Sequence, residues 1–110
     1  MAFKAAFVAM APDVNPAKHR ATIKTPKAEL TTVLVGLMNF DQAVQVCKDL
    51  VQKEGIQSLS LCPGFTNQAL SRIQAAVGEG VPVGVVRTDM PGTQATFEIL
   101  TREGWLSQAH

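Results

Sequence analysis

The sequence predicts a single small α/β domain with a mostly parallel four-stranded sheet and two or three helices. Three observations support this prediction. The chain has 110 residues, which is too few for two independent cores. Hydrophobic residues make up 46% of it and charged residues 17%, which excludes a disordered tail or a charged coiled coil. Short apolar runs alternate with amphipathic segments, as in strand–helix–strand units whose strands run parallel.

Four apolar segments are predicted to form the strands of the sheet. The first is a short buried strand that ends before Pro12, and the second is a β-branched run, the strongest strand signal in the chain. The four strands are expected at 3–10, 30–37, 56–61 and 81–86. Between the first two, the proline-punctuated stretch 11–28 is interpreted as a long loop, in which a short strand over 20–24 is the alternative.

Two segments have the apolar spacing of amphipathic helices. The first begins after the cap residue Asn39 and ends at Gly55, with Cys47 in its apolar stripe as a core residue. The second extends from about Thr66 to Val77. The tail over 95–103 fits either a third helix or a strand, so the number of helices is two or three.

This arrangement leaves one face of the sheet without a helix. Right-handed strand–helix–strand units whose strands advance in one direction place both helices on the same face. The other face must then be covered by the 11–28 segment, by the C-terminal segment or by another subunit. Because so short a chain is 46% hydrophobic, we expect the last of these, a homo-oligomer.

Charge and cysteine content exclude several classes of partner. Ten basic residues balance nine acidic ones, so the net charge is +1, and binding to nucleic acid or to a membrane surface is not expected. No apolar run approaches the roughly 18 residues of a membrane span. The apolar run after Lys4 faintly resembles a signal peptide, but a first core strand explains it better. Two cysteines, Cys47 and Cys62, are too few for a disulfide framework and suit reduced thiols in the cytoplasm.

The candidate site lies where open α/β sheets bind ligands, at the carboxyl ends of the strands. Cys62 ends a strand just before a helix N-terminus, whose free N–H groups lower a thiol's pKa and bind anions. It is a candidate catalytic residue, and a buried core cysteine is the alternative. The turn after it and the cap of the other helix supply candidate substrate-binding residues: Gly64, Phe65, Thr66 and Asn39.

Four charged or titratable residues complete the candidate site. His19 is a candidate general acid or base, or else a solvated loop residue. Arg20 and Arg87 are candidate clamps for a carboxylate. A surface ion pair of Arg87 with Asp89 or Asp13 is the alternative. Asp89 is a candidate catalytic residue that orients His19 or accepts a proton, or else it caps a turn.

The motifs of common metal and cofactor sites are absent from the sequence. There is no Cys-x-x-Cys, His-Glu-x-x-His, Walker or dinucleotide-binding motif, so neither a metal nor a cofactor is expected. The candidate residues favour a small enzyme that acts on an anionic carbonyl- or carboxylate-bearing metabolite by isomerase, lyase or hydrolase-type chemistry. The alternative is a non-catalytic small-ligand-binding or oligomeric accessory module, because no complete catalytic constellation is present.

Four motifs follow one another along roughly residues 3 to 90. They are Ala11-Pro12, Pro16-Ala17-Lys18-His19-Arg20, Leu61-Cys62-Pro63-Gly64-Phe65 and Val81-Pro82-Val83-Gly84-Val85-Val86-Arg87. This set resembles a family of small, mainly bacterial α/β proteins classed as a domain of unknown function. The family pattern has Gly-Gly-Phe-Gly after the cysteine, whereas Pro63 and Thr66 replace the first and last glycine here. The resemblance implies motif positions at His19, Arg20, Cys62 and Arg87, and it implies no reaction.

Overall fold

The computed structural model describes residues 1–106, which form a five-stranded sheet and three helices. The strands are β1 (Phe3–Ala11), β2 (Arg20–Lys24), β3 (Ala28–Gly36), β4 (Ser58–Leu61) and β5 (Val83–Val85). The helices are α1 (Phe40–Glu54), α2 (Asn67–Val77) and α3 (Gly92–Arg102). The predicted α/β class with a mostly parallel sheet is confirmed. The sheet has five strands and not four, because the short strand over 20–24, which the sequence offered as the alternative to a loop, forms and pairs at the edge.

β1 lies at the centre of the sheet, whose strand order is β2-β3-β1-β4-β5. It pairs in parallel with β3 along its whole length and with β4 over Ala5 to Val8, and β5 extends the sheet in parallel beyond β4. β2 runs antiparallel to β3 at the opposite edge. The Thr25 amide donates to the Ala28 carbonyl at 2.7 Å and closes the β2–β3 hairpin. Part of the 11–28 segment therefore forms β2, the first strand of the β2–β3 hairpin.

The hydrophobic core lies on one face of the sheet, beneath α1 and α2. Alternate residues of the central strands point into it, including the fully buried Val8 and Val33. The two helices pack against each other and against the sheet through Cys47, Leu50 and Ile73. Both crossover helices therefore lie on the same face, as predicted, and Cys47 is the core residue that its helical position indicated.

The limits of α1 follow from local chemistry. Asn39 caps its first turn, and Gly55 ends it in the left-handed conformation with φ 74°, a conformation that costs glycine little. The ambiguous tail forms the helix α3, which buries none of its residues. Within residues 1–106, no helix combines the length and apolar character required to cross a bilayer.

The other face of the sheet is uncovered by the described residues. Phe3, Ile23 and Leu30 point to this face and are 57%, 67% and 43% exposed. The segment that precedes β2 lies against α1, and α3 does not cover these side chains. Within residues 1–106, neither the 11–28 segment nor the C-terminal helix therefore covers this face of the sheet.

Burial of Cys47 predicts a loss of stability at alkaline pH. Burial raises the pKa of this thiol from 9.0 to about 12. Between these values the unfolded chain has released the thiol proton while the folded chain retains it, so the free energy of unfolding falls as the pH rises above about 9. Urea unfolding from about pH 8 to 11 should show a steeper decline for the wild type than for Cys47→Ala. Equal slopes would contradict the assignment, since the lysines and Cys62 are common to both proteins.

Candidate functional site

The topology of the sheet places a candidate crevice at the carboxyl ends of β1 and β4, which are neighbours in the sheet. The chain leaves β1 toward β2 and β3 on one side, whereas it leaves β4 through α2 toward β5 on the other side. Connections that diverge from neighbouring strands leave space between them, and open α/β sheets bind ligands at such a switch point. The chain on either side of the crevice is Ala11–Pro12 and Cys62–Thr66.

The turn after β4 fixes the position of Cys62. Its amide donates to the Val8 carbonyl at 3.0 Å, which holds the end of β4 against β1. The Phe65 amide donates to the Cys62 carbonyl at 3.1 Å and closes the turn. Thr66 then caps α2, because its Oγ1 accepts a hydrogen bond from the Ala69 amide at 3.1 Å. The thiol therefore lies at the carboxyl edge directly before a capped helix N-terminus.

Asn39 holds a second helix N-terminus at the same edge. Its Oδ1 accepts from the Gln42 amide at 3.1 Å. Gln42 does not return to the cap residue, as in an ideal capping box, but accepts from the Gly36 amide through Oε1 at 2.6 Å. This contact ties the first turn of α1 to the end of β3. Of the predicted binding residues, Asn39, Gly64 and Thr66 thus lie at one edge with Cys62.

Met10 fills the crevice between the two strands. The Met38 amide donates to its Sδ at 3.3 Å, and its methyl group lies over Gly64. A Cβ at position 64 would meet that methyl group at 2.5 Å, so glycine allows the close approach. Phe65, a predicted binding residue, is only 5% exposed and packs in the core against Phe40. The Met10 side chain, which has three rotatable bonds, therefore occupies the space between Met38 and Gly64 at this edge.

His19 lies at a distance from Cys62. Its carbonyl accepts from the Leu34 amide at 3.0 Å, so His19 lies beside the outer edge of β3. Across the sheet, perpendicular to the strands, Leu34 of β3 and Ala9 of β1 lie between His19 and Cys62. Three strand-to-strand spacings of about 4.8 Å place the backbones of His19 and Cys62 roughly 14 Å apart. His19 Nδ1 accepts from the Asn15 amide at 2.8 Å, a contact within its own loop. Within a single chain, the His19 imidazole therefore does not reach the Cys62 thiol.

Arg20 is engaged by Glu54 at the C-terminal end of α1. Its two terminal nitrogens donate to the two carboxylate oxygens of Glu54, and the longer bond measures 3.0 Å. This hydrogen bonding raises the pKa of Arg20 above its ordinary value. Lys4 Nζ donates to the Glu54 carbonyl at 2.6 Å, which places this end of α1 near the start of β1. The Arg20 guanidinium is therefore directed away from the carboxyl edge.

Arg87 and Asp89 pair with each other after β5. Arg87 Nε lies 2.9 Å from Asp89 Oδ1, and the two side chains are 85% and 73% exposed. The Asp89 carbonyl also accepts from the Thr93 amide at 3.1 Å at the start of α3. This is the surface ion pair that the sequence offered as the alternative for Arg87, and such exposed pairs contribute little to stability.

Two depressions lie outside the crevice, and of their lining residues only Arg20 was a candidate from the sequence. One, of about 550 Å³, lies on the first turns of α2 and is lined by Asn67, Gln68, Ser71 and Arg72. The Arg72 guanidinium donates to Asp41 of α1 at 2.6 Å. The other, of about 320 Å³, lies between α1 and the loop before β2, with Arg20 and Glu54 among its lining residues. No His, Cys, Asp or Glu triplet is grouped for metal binding in residues 1–106.

The fold and this edge define a small α/β domain whose open, mostly parallel sheet carries a thiol and two capped helix N-termini at one edge. The chain belongs to a family of unknown function (DUF6506), and the match covers residues 3–100. The resemblance to a family of unknown function is thereby confirmed. No curated protein and no solved structure matches the chain.

The structure predicts different reactivity for the two thiols. Cys62 is partly exposed, whereas Cys47 is fully buried. We expect iodoacetamide at about pH 8 to modify Cys62 in the native protein and Cys47 only after unfolding, as measured by peptide mass. Gly64→Ala displaces the Met10 methyl group and should change the Cys62 rate. Gly80→Ala is the matched control, because its Cβ meets nothing within 4 Å. Equal modification of both cysteines in the native protein would contradict the prediction.

Proposed function

We propose that the protein binds a small anionic metabolite with a carboxylate or carbonyl group in the crevice between β1 and β4. The observation that carries this proposal is the divergence of the chain after these two neighbouring strands. Such divergence is the geometric condition under which open α/β sheets bind ligands. The net charge of +1 admits a small anion without favouring a polyanion.

The groups at the crevice suit an anionic oxygen. The first-turn N–H groups of α2, other than the Ala69 amide that Thr66 caps, carry the partial positive charge of a helix N-terminus. Cys62 precedes this turn and is partly exposed, so its thiol can contact a ligand held there. Met10 can move because a thioether has low rotational barriers, and it then offers an apolar surface to the carbon chain of the ligand.

Binding without turnover fits this geometry better than acid–base catalysis within one chain. A general acid or base must lie within hydrogen-bond reach of the reacting group, about 2.6–3.2 Å. His19 is roughly 14 Å along the sheet from Cys62. Arg20 is held by Glu54, so it does not supply a free clamp for the substrate. A small-ligand-binding module is therefore the first candidate function.

Thiol chemistry at the same crevice is the second candidate function. It is favoured by the partial exposure of Cys62, in contrast to the buried Cys47. In this case the Cys62 thiol would release its proton to water as the sulfur bonds to the carbonyl carbon of the ligand, and the carbonyl oxygen would take a proton from water, which gives a hemithioacetal or hemithioketal. Isomerase, lyase or hydrolase-type reactions can begin with that step. This candidate uses no metal or cofactor.

We further propose that the protein acts in the cytoplasm as a homo-oligomer. Both cysteines are free, which suits a reducing compartment. The uncovered side chains of Phe3, Ile23 and Leu30 support association, because contiguous exposed apolar surface usually marks an interaction site.

Pyruvate carries both a carboxylate and a carbonyl group and is the probe for the ligand proposal. We expect saturable changes in the backbone amide NMR signals of the non-proline residues within 62–69 and 11–13. Gly64→Ala should weaken binding several-fold, because its Cβ presses Met10 into the crevice. Gly80→Ala should bind like the wild type, since its side chain enters open space.

Other distributions of the NMR changes would overturn the proposal. Changes confined to 16–20 and 46–54 would place the probe in the depression between the loop and α1. Arg20→Ala, which alters that depression alone, should leave pyruvate binding at the crevice unchanged. No saturable change anywhere would exclude this class of ligand.

Cys62→Ser separates the two candidate functions. We expect the variant to bind pyruvate, because the hydroxyl is close in size to the thiol. Consumption of pyruvate or of a small aldehyde by the wild type, abolished in Cys62→Ser, would establish thiol chemistry. If the wild type binds these probes and leaves them unchanged, the module is non-catalytic toward them.

A further inference from the structure

We propose that helix α3 of one copy packs on the open face of the sheet of a second copy, so that two chains form a symmetric dimer. This inference rests on the proposed homo-oligomer and specifies its interface. It does not depend on which ligand the crevice binds. Both surfaces belong to the same chain, and each is apolar and uncovered in the part of the chain that the structure describes.

The open face of the sheet is formed by residues that alternate with the core residues along each strand. The register of the strands brings its larger side chains onto one surface: Phe3, Phe7, Ile23, Leu30 and Leu34. The other positions on this face are alanine, serine, threonine or glycine, and none of the positions is charged. Association through this face therefore desolvates no ion.

α3 carries a second apolar surface. Helical spacing places Phe97 and Leu100 on one side together with Thr93, and Gln94, Glu98 and Arg102 on the opposite side. Ile99 lies on a flank between these two sides. Phe97 is 56% and Ile99 47% exposed. Because a helix of 11 residues is marginally stable in water unless it packs against something, α3 requires a partner surface.

The exposed area shows how much surface a partner must cover. The chain exposes 7107 Å², whereas a folded monomer of 11.8 kDa exposes about 5,900 Å². Four extended residues of average mass expose about 640 Å² by the same scaling, so the excess of roughly 1,200 Å² is about twice what four such residues contribute. It also exceeds the roughly 800 Å² that each partner buries in a standard interface. The radius of gyration, 14.5 Å, is likewise above the ~13 Å expected for this length.

A second copy covers both surfaces at once. If α3 of each chain lies on the sheet of the other, the contact is reciprocal and closes with two subunits. Residues 86–91 connect β5 to α3, which buries none of its residues against its own chain. If instead the open faces of two sheets stacked on each other, the sheet would be covered but the apolar side of α3 would stay exposed.

Sedimentation equilibrium of the full chain over micromolar concentrations tests the association. We expect a dimer for the wild type and an increase in Kd of about tenfold or more for Leu30→Lys and for Phe97→Lys, because each buries a charge. Gln94→Lys on the polar side of α3 and Met38→Lys at an exposed position off the open face should leave Kd unchanged. Circular dichroism verifies that each variant is folded. A monomeric wild type at these concentrations would overturn the proposal.

Cross-linking distinguishes exchange of α3 from stacking of the sheets. In a Cys62→Ser background, Leu30→Cys and Phe97→Cys are prepared separately, mixed and treated with a short bismaleimide, while the buried Cys47 stays unreactive. We expect links between positions 30 and 97 of different chains. Links between two copies of position 30 would show stacked sheets and overturn the exchange of α3. A chain carrying both substitutions that links only within itself would show α3 folded onto its own sheet and overturn it too.

Discussion

The parallel pairing of β1 with both β3 and β4 is the constraint on which the rest of the structure depends. β3 and β4 are joined by α1 but lie on opposite sides of β1, so α1 must pass over the central strand. A right-handed crossover allows this on one face only, and α2 continues on that face to β5. The row through Val33, Val8 and Leu61 lies under these helices and is fully buried in the hydrophobic core.

The same topology concentrates chemical groups at one edge. α1 and α2 both begin where parallel strands end, so their caps Asn39 and Thr66 lie at the carboxyl edge. Cys62 lies there because β4 ends one residue earlier and its amide continues the ladder to Val8. At the opposite end of α1, Glu54 binds Arg20 and Lys4. The contacts of Glu54 therefore lie at the end of α1 opposite to the carboxyl edge, where the thiol and the first-turn backbone donors lie.

The uncovered face follows from the position of the helices. Because both crossovers occupy one face, only a segment outside the strand–helix units or a second chain can cover the other. The edge strand β2 does not cover this face. It extends the sheet, and its Ile23 side chain enlarges the uncovered apolar surface. A chain with a 46% hydrophobic composition therefore has more apolar surface than its own core uses. The proposed ligand crevice lies at an edge of the sheet and the proposed association surface lies on a face, so the two proposals do not compete for the same residues.

The sequence by itself determined the features that depend on local pattern: the class of fold, the two crossover helices with their cap at Asn39 and stop at Gly55, and the burial of Cys47. Periodicity and capping are properties of neighbouring residues, so one sequence is enough to predict them. Only the tertiary structure decided that 20–24 pairs as an edge strand, that Arg20 binds a carboxylate 34 positions away, and that His19 does not approach Cys62. These outcomes depend on strand order and on contacts between distant segments, which local pattern does not encode.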